Sequence, residues 1–333
     1  MNRLFSLVFA GVSLLAVFTA FLLLSGNMLA PLVAGMIGVP GRSVLLSLLA
    51  GCIVIIVAVT FLRRPVVRWS LICHLGLIAL SLVSLVISLI LFMFQGVQEE
   101  VVTFESNGVV ITATLYVPDG EGPHPAIMIG HASGPRPRSV YDVYAYALAR
   151  EGFAVLVADK RGVGESGGDF EGRDPTTQAN LVLLAEDMVA GVRFLTAQEE
   201  VDDARVGVLG FSQSGWIAPL AAADEPAIRF MLLVTAPTTP SPAIHGRGLD
   251  PGPTIAALEV PVFWQFGAND EVVRAPDAIR VLEPLIARNK PITFKTYEGA
   301  SHALIGAGRF LLPDISHEAW TDGVVWLKGQ AGL

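Results

Sequence analysis

The sequence predicts an α/β protein. Its core is a mostly parallel eight-stranded sheet with helices on both faces, preceded by three transmembrane helices. Three observations predict this. Apolar and charged residues are divided unevenly along the chain. Beyond residue 99, short and nearly continuous apolar runs alternate with helical patterns, as in a parallel sheet covered on both sides. Ahead of those runs, Asn107-Gly108 sits between two β-rich stretches, a strong hairpin signal.

The uneven division sets the domain organisation, with a membrane region at 1–98 and a water-facing domain at 99–333. Of the 333 residues, 53% are hydrophobic, too many for one ordinary soluble domain. Residues 1–98 contain five arginines, no lysine and no acid, whereas all 30 acids come later. Three apolar runs, at 4–24, 43–62 and 70–94, approach or exceed the roughly 20 residues a helix needs to cross the hydrocarbon core. Between the first two, the apolar stretch is broken by Pro31 and Pro40, which reads as a loop dipping into the interface. Arg3 precedes the first run, and Arg63, Arg64 and Arg68 crowd the loop before the third. The positive-inside rule makes both regions cytoplasmic and the acidic domain extracytoplasmic, with Arg42 dissenting. The expected location is a multi-pass anchor in the cell membrane, with the lipid bilayer as a partner.

Composition also excludes. The acidic domain has no basic tract, which argues against nucleic acid as a partner. The only cysteines, Cys52 and Cys73, fall in or beside the spans, so thiol catalysis and thiolate metal sites in the domain are ruled out. The spans hold no acid or lysine, which disfavours an ion or proton path.

Along the domain, EVVTFES and VVITATLYVP form the hairpin. Six further strands follow, at 126–131, 154–159, 205–211, 230–236, 260–267 and 292–297. Helical patterns fall near 140–151, 178–198, 214–223, 275–288 and 317–328. Ligands bind such a sheet at the carboxyl ends of its strands. The strand ending at Gly210 delivers FSQSG there, followed at once by an apolar helical run. A nucleophile on a tight strand-to-helix turn needs small residues two before and two after it. Ser212 has Gly210 and Ser214 in those places; Ser214 would have Trp216, whose indole clashes. Sterics therefore select Ser212.

A serine hydroxyl needs a base, and the base needs an orienting acid. In this architecture they follow in the order Ser, acid, His. Asp270 lies just past the strand at 260–267, with Glu271 beside it able to serve instead. His302 lies on the loop after the strand at 292–297. His245 precedes the acid and breaks the order; His317 begins the last helix; His74 and His124 lie at a span end and at the wrong end of the sheet. Acyl transfer also needs backbone donors for the developing oxyanion. Gln213 supplies one N–H at the helix start. The loop His131-Ala132-Ser133-Gly134-Pro135 supplies the second, with Ser133 preferred and Ala132 next, and His131 holding the loop.

Several segments resemble a known family: GHASGP, ADKRGVGESGGDF, LAEDMVAGVRFL, VGVLGFSQSGWIAPLAA, VPVFWQFGANDEVV and YEGASHAL. The chain resembles the α/β-hydrolase superfamily, in its bacterial serine aminopeptidase-like, dipeptidyl-peptidase-like and acyl-CoA thioesterase-like group. The resemblance covers most of 101–330. It implies an α/β-hydrolase fold and puts nucleophile, acid and base on Ser212, Asp270 and His302. It also marks 159–168 as a hallmark segment shaping the sheet edge, where Asp159 and Arg161 are expected to pair. This chain departs from the usual pattern in two places. It has His-Ala for the usual His-Gly, and only a short Pro/Gly-rich link stands where relatives insert a helical cap, so the cap is minimal and the site open. The expected activity is hydrolysis of a carboxylic ester or thioester with a small-molecule or lipid-like acyl group, needing no cofactor and no metal. The alternatives are a peptidase or aminopeptidase with the same triad, and a non-catalytic membrane-anchored binding module.

Overall fold

The computed structural model describes residues 96–170, 177–241, 248–302, 310–312 and 315–333, together with Gly76, Ala79 and Leu82. The chain divides into two compact units, Met1–Gln95 and Gly96–Leu333. In the first, Gly76, Ala79 and Leu82 are helical; otherwise the three expected spans lie outside the described residues. Among the described residues no helix is long and apolar enough to cross a membrane.

The second unit opens with β1 (Val97–Ser106) and β2 (Val109–Pro118), paired antiparallel across Asn107 and Gly108. Both turn residues have positive φ, 50° and 72°, as a two-residue turn matched to strand twist requires. Then come β3 (His124–Gly130), α1 (Asp142–Arg150), β4 (Ala154–Ala158), α2 (Gln178–Thr196), β5 (Val201–Phe211) and α3 (Ser214–Asp224). They are followed by β6 (Ile228–Val234), α4 (Gly252–Ala257), β7 (Val262–Gly267), α5 (Ala275–Ile286) and β8 (Ile292–Tyr297). A two-stranded ribbon, β9 (Phe310–Leu312) with β10 (Ile315–Ser316), precedes α6 (His317–Ala331).

The eight-stranded sheet has the order β1-β2-β4-β3-β5-β6-β7-β8. β2 meets β4 antiparallel, and every pairing from β4 to β8 is parallel. Strands buried on both faces read as continuous apolar runs. In β4, Ala154, Leu156 and Ala158 join the core under α2, α3, α4 and α5, while Val155 and Val157 join the core under α1 and α6. Fully buried side chains such as Leu148, Leu156 and Leu181 each contribute about 1.5–3 kcal/mol by leaving water.

Differences from the sequence expectation lie at the ends and in short pieces. β5 begins four residues early, because Val201 pairs with His124 of β3 ahead of an irregularity in register. Helix α4 and the small ribbon were not expected. Six-, three- and two-residue elements are shorter than the window in which hydrophobic periodicity can register.

Candidate active site

β5 runs through the middle of the sheet and ends at Phe211. Ser212 then adopts φ 45°, a left-handed conformation that costs a non-glycine residue roughly 1–2 kcal/mol. The surroundings enforce the turn. A Cβ on Gly210 would come within 2.7 Å of Ser214 Cβ and 2.8 Å of Leu233 Cδ2. One on Gly215 would lie 2.4 Å from the Pro237 carbonyl oxygen. Ser212 N–H is tied to Val234 O at 3.0 Å, and Gly215 N–H closes the turn on Ser212 O at 2.9 Å. Ser214 has a different place. It is fully buried, and its hydroxyl donates to His131 O at 3.0 Å. Trp216 is buried in the core and donates to Thr239 O at 2.8 Å, so the indole is committed away from the turn.

The other two predicted residues converge on Ser212. β7 ends at Gly267, so close to the loop after β8 that a Cβ there would sit 2.5 Å from both Ala300 O and Ser301 O. Asp270 and His302 therefore stand side by side. Asp270 Oδ1 accepts from the N–H groups of Val272 and Val273, both at 2.8 Å. Its Oδ2 lies 2.8 Å from His302 Nδ1. His302 Nε2 lies 3.0 Å from Ser212 Oγ. The Asp270 side chain is fully buried, while that of His302 is 31% exposed. Glu271, the rival acid, is exposed. His124 stands at the amino end of β3, and His74 and His245 lie outside the described residues.

The loop after β3 contains both candidates for the second oxyanion donor. Ala132 N–H donates to the Tyr141 hydroxyl at 2.8 Å and is thereby spent. Ser133 is exposed, and its carbonyl accepts from Arg136 Nε at 2.8 Å. His131 is buried with its ring against Tyr141, centroids 4.3 Å apart, and neither ring nitrogen has a partner of normal hydrogen-bond geometry. Burial, and then the Lys160 charge, push its imidazole down to about 3, against a smaller upward pull from the Arg136 backbone.

The segment after β4 is sewn to the sheet edge through Asp159 N–H to Thr112 O and Gly167 N–H to Val110 O, both 2.8 Å. The expected Asp159–Arg161 pair does not form. Asp159 accepts instead from the Arg138 guanidinium and from the N–H groups of Arg138 and Glu165. Arg161 reaches the other way, to Asp187 on α2 and to Ser106 O. Both residues lie past the end of β4, where the alternation of the strand no longer sets the direction of a side chain. Sequence reasoning passed over Lys160, which sits between these two at the carboxyl end of β4. A lysine at that end of a buried parallel strand is the signal that could have found it.

Serine, histidine and aspartate joined in this order at strand ends are the arrangement that serine hydrolases use. Comparison with known proteins agrees. Residues 107–249 match the X-Pro dipeptidyl-peptidase (S15) family, a span that stops short of Asp270 and His302. Uncharacterized protein PA2218 of Pseudomonas aeruginosa is 32% identical over 142 residues, 42% of this chain and 37% of that protein. Esterase EstD of Thermotoga maritima is 28% identical over 148 residues, 41% and 34% of the two chains. The chain thus spans well under half the length of these two relatives. Dipeptidyl peptidase 4 of Porphyromonas gingivalis superposes with a TM-score of 0.57 at 18% identity, covering 69% of this chain and 35% of that one. The chain is thus similar over part of its length to an esterase and to the S15 peptidase family, and it shares its fold with the Porphyromonas gingivalis peptidase.

Proposed function

We propose that the domain hydrolyses carboxylic esters, and by the same chemistry thioesters, through an acyl-enzyme on Ser212. The observation that carries this is Ser212 at φ 45° with Oγ 3.0 Å from His302 Nε2. His302 takes the hydroxyl proton as Oγ attacks the acyl carbon. Asp270, accepting from Nδ1–H, keeps the other imidazole nitrogen free to receive that proton and stabilises the imidazolium. The negative charge that develops on the acyl oxygen is received by the N–H groups of Gln213 and Ser133. His302 returns the proton to the leaving alcohol or thiol. A water then enters by the same route and releases the acid.

Ester substrates fit the likeness to an esterase and the short link between β6 and β7, which leaves the site open to small or lipid-like acyl groups. A peptidase is the second reading, favoured by the match over 107–249 to X-Pro dipeptidyl-peptidases. We further read residues 1–98 as a three-span anchor holding the domain on the outer side of the membrane, supported by the apolar runs and the arginine placement.

The test is labelling with a fluorophosphonate, followed by a panel of p-nitrophenyl acyl esters against X-Pro p-nitroanilides. Labelling should vanish in Ser212→Ala and persist in Ser214→Ala. A folded wild type that takes no label sinks the enzyme reading, and cleavage of the anilides alone replaces the esterase with the peptidase. Full protection of the domain from external protease in intact cells would overturn the topology.

A further inference from the structure

Lys160 is 8% exposed, and none of the ion pairs among the described residues includes it. Its ammonium donates to Ala132 O at 2.6 Å, Gly134 O at 3.2 Å and Gln213 Oε1 at 2.8 Å. An ammonium has three N–H donors, so its capacity is filled. Burying a charge without a counter-charge is costly, and an apolar side chain of the same length would fill the space without that cost. The three acceptors indicate what the charge does.

Ala132 and Gly134 flank Ser133. The peptide between Ala132 and Ser133 is trans and planar, so its C=O and N–H point in opposite directions. Holding Ala132 O against the ammonium therefore turns the Ser133 N–H away from Lys160. The neighbouring atoms are fixed as well: Ala132 N–H by the Tyr141 hydroxyl and Ser133 O by Arg136. The third contact holds the side chain of Gln213, the residue following Ser212.

The geometry points to Lys160 as a positioning residue that ties the loop after β3 to Gln213 and so sets the two N–H groups that receive the oxyanion. This rests on the oxyanion roles of Ser133 and Gln213 given above. The ammonium also polarises the Ala132 carbonyl, which strengthens Ser133 N–H as a donor. Both effects act as charge builds on the acyl oxygen, so their loss lowers kcat and spares KM.

Protonation of Lys160 is part of this arrangement. Burial, and then the charge of Arg136, push the ammonium down to about 7. The groups facing it are His131 at the end of β3, Arg136 in the loop, Asp159 and Arg161 beside it in the chain, and Asp187 of α2 across the same small cavity. Asp159 and Asp187 are already paired with arginines. A neutral amine offers two donors to three acceptors, so kcat falls as pH rises through the range where Lys160 loses its proton.

The experiment uses the full chain and a p-nitrophenyl ester, with kcat and KM measured across neutral to alkaline pH. Removing one oxyanion donor outright costs about 10²–10³ in kcat; loss of positioning in Lys160→Met should cost about tenfold to a hundredfold, with KM nearly unchanged. The variant should be no less heat-stable than wild type and should lack the alkaline fall in kcat. Gln213→Glu places a carboxylate against the ammonium and should move that fall to higher pH. Wild-type kcat and pH profile in Lys160→Met overturn the proposal. Should Lys160→Met fail to fold, an unmoved alkaline limb in Gln213→Glu overturns it instead. Ser212→Ala reports separately: activity persisting there removes the triad reading itself, whereas a dead Ser212→Ala beside a fully active Lys160→Met removes only the role of Lys160.

Discussion

Replacing Asp270 with asparagine should silence the site by moving one proton. The carboxylate accepts three hydrogen bonds of 2.8 Å: two backbone N–H groups at Oδ1 and His302 at Oδ2. In Asp270→Asn the backbone donors still need an acceptor, so the amide oxygen takes the Oδ1 place. The opposite orientation would turn the NH₂ group onto both donors and leave the buried Val273 N–H unsatisfied, at about 1–3 kcal/mol. The NH₂ group therefore faces His302 Nδ1, which must present its lone pair. The imidazole proton moves to Nε2, and Nε2–H then points at Ser212 Oγ, 3.0 Å away, unable to accept its proton. The expected loss is about ten-thousandfold in kcat, or about 5.4 kcal/mol of transition-state stabilisation. The side chain is fully buried and its size is unchanged, so the fold should persist. Steady-state ester hydrolysis and thermal melting of the two proteins, side by side, measure both quantities. A kcat within tenfold of wild type, in a variant that melts normally, would refute the assigned role of Asp270.

Two further outcomes follow from packing and charge. Gly215→Ala should fail to fold normally or lose several kcal/mol, because its Cβ would lie 2.4 Å from a backbone oxygen and 2.7 Å from Pro237 N, neither of which yields cheaply; soluble yield and melting temperature report it, and a wild-type melt contradicts it. His131 binds no proton in the folded state until about pH 3, whereas the unfolded chain takes one up near 6.5. Its contribution to stability is therefore complete above 6.5 and is lost as pH falls toward 3, at up to about 1.4 kcal/mol per pH unit. His131→Phe, which preserves the ring against Tyr141, should flatten the decline of melting temperature between neutral and mildly acidic pH; an equal slope in both proteins counts against it.

The alternation of strands and helices, the hairpin at Asn107-Gly108 and the choice of Ser212 over Ser214 were all legible in the sequence. Each depends on relations within a few residues: side-chain period, positive φ at a turn, and the bulk of Trp216 two places past Ser214. The positions of Asp270 and His302 were legible for a related reason, since a parallel sheet gathers the ends of its strands along one edge. Short pieces such as α4 were not, because six residues carry no periodicity.

Partnerships across the layers were beyond reach as well. Asp159 and Arg161 stand two residues apart, yet one turns to Arg138 and the other to Asp187. Sequence reading preferred Ser133 over Ala132 as an oxyanion donor, but the hold of the Tyr141 hydroxyl on the Ala132 N–H was not legible there. Lys160 draws its acceptors from segments 26 to 53 residues away. The sequence by itself determined the architecture and the order of the reacting side chains, because near-neighbour sterics and strand-end placement dictate both. Only the tertiary structure decided that Tyr141 takes the Ala132 N–H and that the Lys160 ammonium lies against the same loop, because hydrogen-bond capacity is shared among groups brought together by folding alone.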